Sequence, residues 1–84
     1  MRQIAFTRDA FKEYNDWVDK QEIIERIKAL VHDIDRDPFH GLGKPEPLKG
    51  NWKGYWSRRI NHEHRLIYRV SELQIIIVKC RGHY

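Results

Sequence analysis

The apolar spacing between residues 21 and 36 constrains this chain more than anything else in it. Ile23, Ile24, Ile27, Leu30, Val31 and Ile34 recur at threes and fours, which on a helix gathers them into a stripe about 100° wide. Glu22, Glu25, Arg26, Lys28 and Asp35 fall on the opposite side, and His32 stands at the stripe's edge as a surface residue. A stripe that wide must be covered, so the rest of the chain has to supply an apolar layer for it.

That layer is expected to be a sheet. Ile4 and Phe6 alternate against Gln3 and Ala5 in a short opening strand. Thr7 suits a helix N-cap, its hydroxyl accepting from an early amide that has no partner within the helix. The following helix spans residues 8–19, with Phe11, Tyr14 and Val18 inward, Trp17 beside them, and Arg8, Asp9, Lys12, Glu13, Asp16 and Asp19 outward. Asp37-Pro38 stops the second helix, because proline disfavours helical geometry in the residue before it. Residues 38–54, with three prolines and four glycines, then read as a long loop.

Strands are expected at residues 55–60 and 64–70, a hairpin closed by Asn61-His62-Glu63, and at residues 73–81 after Ser71-Glu72. In the middle strand Leu66, Tyr68 and Val70 share one face, opposed to Arg65, Ile67 and Arg69. In the last, Ile76, Val78 and Cys80 alternate against Ile75, Ile77, Lys79 and Arg81, with Cys80 as a core residue. The expected fold is α+β in a single domain, residues 1–84. A short N-terminal strand and two helices precede a three-stranded antiparallel sheet region, with helices on one face and arginines gathered on the other.

Eighty-four residues with one cysteine give a small core and no internal disulfide, which fits a reducing cytosol. The N-terminus lacks the apolar run of a signal peptide, and no segment is long enough to span a bilayer. A cytoplasmic protein without membrane contact is expected. Charge is unevenly divided. Residues 1–42 hold seven Lys/Arg against nine Asp/Glu, whereas residues 43–84 hold nine against three. A polyanion would therefore dock on the C-terminal half, where Trp52, Tyr55, Trp56 and Tyr68 stand among the cations as candidates for stacking on bases or for the core.

Standard motifs are mostly missing. Gly41-Leu42-Gly43-Lys44 lacks the spacing of a phosphate-binding loop. His62 and His64 around Glu63 have no further ligand pair to complete a metal site, so neither metal nor cofactor is expected. What remains is a carboxylate, Glu46, held between Pro45 and Pro47, together with Arg59, Arg65, His83 and Tyr84. RNA carries its own nucleophile, the 2′-hydroxyl. Cleaving it needs a base for that proton, an acid for the leaving 5′-oxygen and a cation for the phosphorane between them. Glu46 suits the base, His83 the acid, and the planar fork of Arg65 the phosphate. A basic module that grips nucleic acid without cutting it is the competing reading, although plain binding has no use for a Glu46–His83 pair.

Several separate stretches resemble the YoeB/Txe toxins of bacterial type II toxin–antitoxin systems. They are Asp37-Pro38-Phe39-His40-Gly41-Leu42-Gly43-Lys44-Pro45-Glu46-Pro47-Leu48-Lys49, Tyr55-Trp56-Ser57-Arg58-Arg59-Ile60, Glu63-His64-Arg65-Leu66 and Cys80-Arg81-Gly82-His83-Tyr84. The resemblance runs the whole length of the chain and implies a RelE-like microbial ribonuclease fold. It implies cleavage of messenger RNA in the ribosomal A site, neutralisation by a YefM-like antitoxin, and a homodimer as one possible assembly. By resemblance Glu46 is the general base, His83 the general acid, Arg65 the phosphate stabiliser and Tyr84 a positioning group. Lys49 and Arg59 would assist at the phosphate, and Glu63 would orient an arginine. The antitoxin is expected to cover the basic face, Arg58 and Arg59 included, with an acidic segment.

Overall fold

The computed structural model describes residues 2–84. Its elements in order are β1 (Gln3–Phe6), α1 (Arg8–Asp16), α2 (Gln21–Arg36), β2 (Glu46–Pro47), β3 (Trp56–Arg59), β4 (Arg65–Val70) and β5 (Gln74–Lys79), with a short 3₁₀ turn at Gly50–Trp52. The strands make one sheet in the order β1-β5-β4-β3-β2. Its C-terminal strands pair antiparallel, but β1 lies parallel to β5, so the sheet is mixed. The strand β2 was not legible in the sequence because prolines flank Glu46 and fill the strand's second position. Proline is tolerated there because β2 is an outer strand, where missing donors face away from the ladder.

The stripe on α2 does what its spacing demands. Ile24, Ile27, Leu30 and Ile34 are buried, and the last three join a core with Leu66, Tyr68, Ile75 and Ile77 from the sheet. Burying side chains of this kind contributes roughly 1.5–3 kcal/mol each, the main driving force for so small a fold.

Two expectations about faces fail, each for a local reason. Phe11 in α1 and Val18 just beyond its end point outward, at 57% and 71% exposure. The packed positions are Ala10, Tyr14 and Trp17, and the helix ends at Asp16, short of residue 19. Ala10 is small enough to bring the helix backbone against the end of β5, where its carbonyl accepts from the Cys80 thiol at 3.5 Å. Glu13, expected outside, turns in to accept from the Cys80 amide at 2.8 Å. In β5 the core residues are Ile75, Ile77 and Cys80, with Ile76 and Val78 on the other face. The cause is an irregularity in pairing: Tyr68 faces Ile77 while Ile67 faces Lys79, so β5 carries one extra residue, Val78. A bulge of this kind reverses the alternation beyond it and returns Cys80 to the core.

Thr7 caps α1 as expected, its hydroxyl accepting from the Ala10 amide at 3.2 Å. Between β1, α1 and α2 lies an open apolar groove of about 450 Å³, walled by Ile4, Phe6, Phe11, Tyr14, Ile27 and Val31. None of the candidate site residues lines it. No helix among the described residues is long and apolar enough to cross a membrane.

Candidate active site

Strand register decides which side chains share a face. Facing residues of an antiparallel pair project to the same side. Glu46 faces Ser57, Ser57 faces Ile67, Arg59 faces Arg65 and Arg69 faces Ile76. Glu46, Arg59, Arg65 and Arg69 therefore stand together on the face away from the helices. Arg58 does not. It shares the helix side with Trp56, Leu66 and Tyr68, and its side chain is fully buried.

Arg58 is instead the keystone of the loop that leads to Glu46. Its Nη1 donates to Asp33 Oδ2 at 2.6 Å and to the Leu42 carbonyl at 3.1 Å. Its Nη2 donates to the carbonyls of Asp37 at 2.6 Å and His40 at 3.3 Å, and its Nε to the Tyr68 hydroxyl at 3.1 Å. Tyr68 passes its own proton to the Pro38 carbonyl at 2.7 Å, so it is a core residue and no stacking platform. The Leu42 amide, with Arg58 and Arg36 behind it, holds the Asp33 carboxyl down at about 2 against the raising effect of burial. Parity along β3 was the signal available in the sequence: with Trp56 inward, Arg58 had to follow.

From this knot the chain turns back to the sheet at Gly43 and Lys44, both left-handed, with φ of +78° and +53°. The Gly43 carbonyl accepts from the Arg59 amide at 2.6 Å, and a β-carbon there would sit 2.9 Å from Leu30 and 3.0 Å from the Arg59 carbonyl. Only glycine fits so close an approach. Lys44 has no such excuse. A lysine held left-handed costs on the order of 1 kcal/mol, and the two residues aim β2 along the sheet edge.

The C-terminal tail reaches the same face from the opposite end. The Cys80 carbonyl accepts from Trp17 Nε1 at 3.0 Å, and Arg81 pairs with Asp16 at 3.2 Å. Gly82 is held from both sides: its amide donates to His64 Nδ1 at 2.8 Å and its carbonyl accepts from the Arg65 amide at 2.9 Å. His83 and Tyr84 follow, both exposed, with ring centroids 5.8 Å apart. The Tyr84 hydroxyl donates to Glu46 Oε1 at 2.9 Å, joining residues 38 positions apart. Glu46 Oε2 has no partner among the described residues.

The other candidates are less closely gathered. Arg65 Nη1 donates to the carbonyls of Asn61, His64 and His62 at 2.7, 3.2 and 3.4 Å, fixing the guanidinium while leaving its Nε and Nη2 without a partner among the described residues. The Arg59 side chain is exposed, and its carbonyl accepts from Arg26 at 3.2 Å. Lys49 stands exposed just before the 3₁₀ turn. Glu63 sits on the turn between β3 and β4, where its amide donates to Asn61 Oδ1 at 2.9 Å. Its carboxylate pairs with no arginine among the described residues. His64, first considered as a metal ligand, spends Nδ1 on Gly82.

Two helices cover one face of a five-stranded mixed sheet, with a carboxylate, a phenol and arginines across the other, and this α+β fold is shared with solved toxin structures. A YoeB dimer from Staphylococcus aureus superposes with a TM-score of 0.91 at 44% identity, covering 99% of this chain and 98% of that one. A YoeB–YefM complex from the same organism gives 0.89 at 43%, covering 100% and 99%. The chain belongs to the family of YoeB-like toxins of bacterial type II toxin–antitoxin systems, whose model matches residues 6–84. Toxin YoeB of Streptomyces coelicolor is 48% identical over 83 residues, 98% of this chain and 99% of its own.

Proposed function

We propose that this toxin is a ribosome-dependent endoribonuclease that cuts messenger RNA in the A site. The observation that carries the reading is the hydrogen bond from Tyr84 to Glu46, because it draws the chain terminus onto the face that holds Arg59 and Arg65. In this scheme Glu46 takes the 2′-hydroxyl proton through its free Oε2, while Tyr84 fixes the other oxygen. The 2′-oxygen attacks phosphorus, the bond to the 5′-oxygen breaks, and His83 as imidazolium gives that oxygen its proton. The products are a 2′,3′-cyclic phosphate and a 5′-hydroxyl. Arg65, with Nε and Nη2 free, stabilises the equatorial oxygens, and Arg59 and Lys49 add positive charge beside them. The nucleophile comes from the substrate, so the scheme calls on no metal or cofactor.

The His83 and Tyr84 rings are exposed and open to a large substrate, which suits a messenger presented by the ribosome. By kinship with the YoeB–YefM complex, the partner is a YefM-like antitoxin laid over the basic face; the dimeric relative makes self-association a second assembly. The cytoplasm, where ribosomes are, is the place of action.

The test is in vitro translation of a defined message with 5′ ends mapped by primer extension, alongside naked RNA. Breaks within A-site codons are expected, lost with Glu46→Gln or His83→Gln by at least about 10²-fold and stopped by added antitoxin. Intact message in the presence of the wild-type protein refutes the reading.

A further inference from the structure

His83 and Tyr84 lie beyond the last strand, so something other than the sheet ladder must aim them. Cys80 is tied to α1 by Glu13 and Trp17, which fixes where the tail starts but not where it points. Direction is set at Gly82, whose φ of +78° turns the chain. Its two peptide groups are gripped by the start of β4, the carbonyl by the Arg65 amide and the amide by the His64 ring.

We infer that His64 is a positioning residue for the cleavage reaction: its Nδ1 lone pair fixes the Gly82 peptide and so places His83 and Tyr84. The inference rests on the nuclease reading for its consequence, though the clamp itself is a statement about structure. For Nδ1 to accept from an amide, the ring must be neutral with its proton on Nε2. The ring is half-buried and meets the Trp17 ring edge-on, centroids 4.7 Å apart and planes at 75°. That contact gives the imidazole one orientation. Trp17 therefore acts twice, through its indole N–H on Cys80 and through its ring on His64. Nothing else among the described residues bonds the Gly82 amide.

The alternative is that His64 merely fills space beside Trp17, and two substitutions separate these roles. His64→Phe keeps a ring against Trp17 and removes the acceptor. His64→Asn removes the ring and keeps an acceptor at nearly the position of Nδ1. A positioning role predicts that Phe loses cleavage by about 10- to 100-fold, mostly in kcat, since a small misplacement of the acid is enough. Asn is expected to stay within about 5-fold of wild type even if it melts lower, because the amide oxygen restores the bond. Equal activity in Phe and wild type, or equal loss in Asn and Phe, overturns the inference.

Amide hydrogen exchange at Gly82, followed by NMR on the isolated protein, needs no activity. Protection in wild type and Asn with its loss in Phe supports the clamp. Unchanged exchange in Phe overturns it, whatever the ribosome assay returns. A wild type that cuts nothing while Gly82 exchange follows this pattern leaves the clamp standing and removes the nuclease reading instead.

Discussion

Replacing Asp33 by Asn removes a single charge from beneath the loop that carries Glu46, and its cost follows from the carboxyl's environment. In the folded chain that carboxyl is held at about 2, against 3.8 ordinarily, by the Leu42 amide first and then by Arg58 and Arg36. Each pH unit between folded and unfolded values is worth about 1.4 kcal/mol, so the charge contributes roughly 2 kcal/mol at neutral pH. The side chain is only 13% exposed and its partner Arg58 wholly buried, so little of this is screened by solvent. A depressed carboxyl stabilises at pH values above the unfolded value, and the gain disappears as pH falls through the folded one. About half should remain at pH 3 and about a sixth at pH 2. Urea titrations of wild type and Asp33→Asn from pH 7 to pH 3 should therefore show a gap of about 2 kcal/mol that narrows on acidification. Asn retains an oxygen for Leu42 or Arg58, so the fold survives. A gap under about 0.5 kcal/mol at pH 7, or one that ignores pH, would refute this account of the network.

Two other outcomes follow. Gly43→Ala places a methyl against Leu30 and the β3 backbone at a left-handed position, and should cost more than about 2 kcal/mol, a drop of roughly 10 °C or more in melting temperature by calorimetry. Cys80, its thiol pushed up to about 12 by burial and then by Glu13, should ignore a disulfide reagent at pH 8 in the native protein and react once the chain is denatured.

How much of this was legible in the sequence depended on whether the cause was local. The α2 helix ran over the residues its spacing marked, because one wide stripe leaves a helix only one way to face a sheet. Thr7 was legible for the same reason, a cap being a matter of a few neighbouring residues. The stripe on α1 was misjudged because Phe11 and Val18 outweigh Ala10 in hydrophobicity, whereas the end of β5 required a small residue. The parity of β5 was lost to a bulge visible only in the pairing with β4. Within the site, Glu46, Arg59, Arg65, His83 and Tyr84 stood out by chemistry and by family resemblance. Arg58 and His64 did not, since one was counted with the surface cations and the other was weighed only as a metal ligand and set aside. Their roles lie in bonds to backbone groups 16 to 21 residues away for Arg58 and 18 away for His64.

These two residues suggest why so exposed a cluster can hold a shape. Glu46 and the last two residues make one direct contact with each other, Tyr84 to Glu46, and a single exposed hydrogen bond contributes too little to order both. Order has to come from below. On one side Arg58 gathers the carbonyls of Asp37, His40 and Leu42, and the loop so fixed delivers β2. On the other, Glu13, Trp17 and His64 hold residues 80–82 and deliver the tail. The sheet between them supplies Arg59 and Arg65 on facing strands, so both deliveries meet a rigid reference. Substitutions at Arg58 or Asp33 should then lower stability and activity together, because that knot is also core. Loss of the His64 acceptor should lower activity with far less effect on stability, because His83 and Tyr84, beyond Gly82, are exposed and lie outside the core.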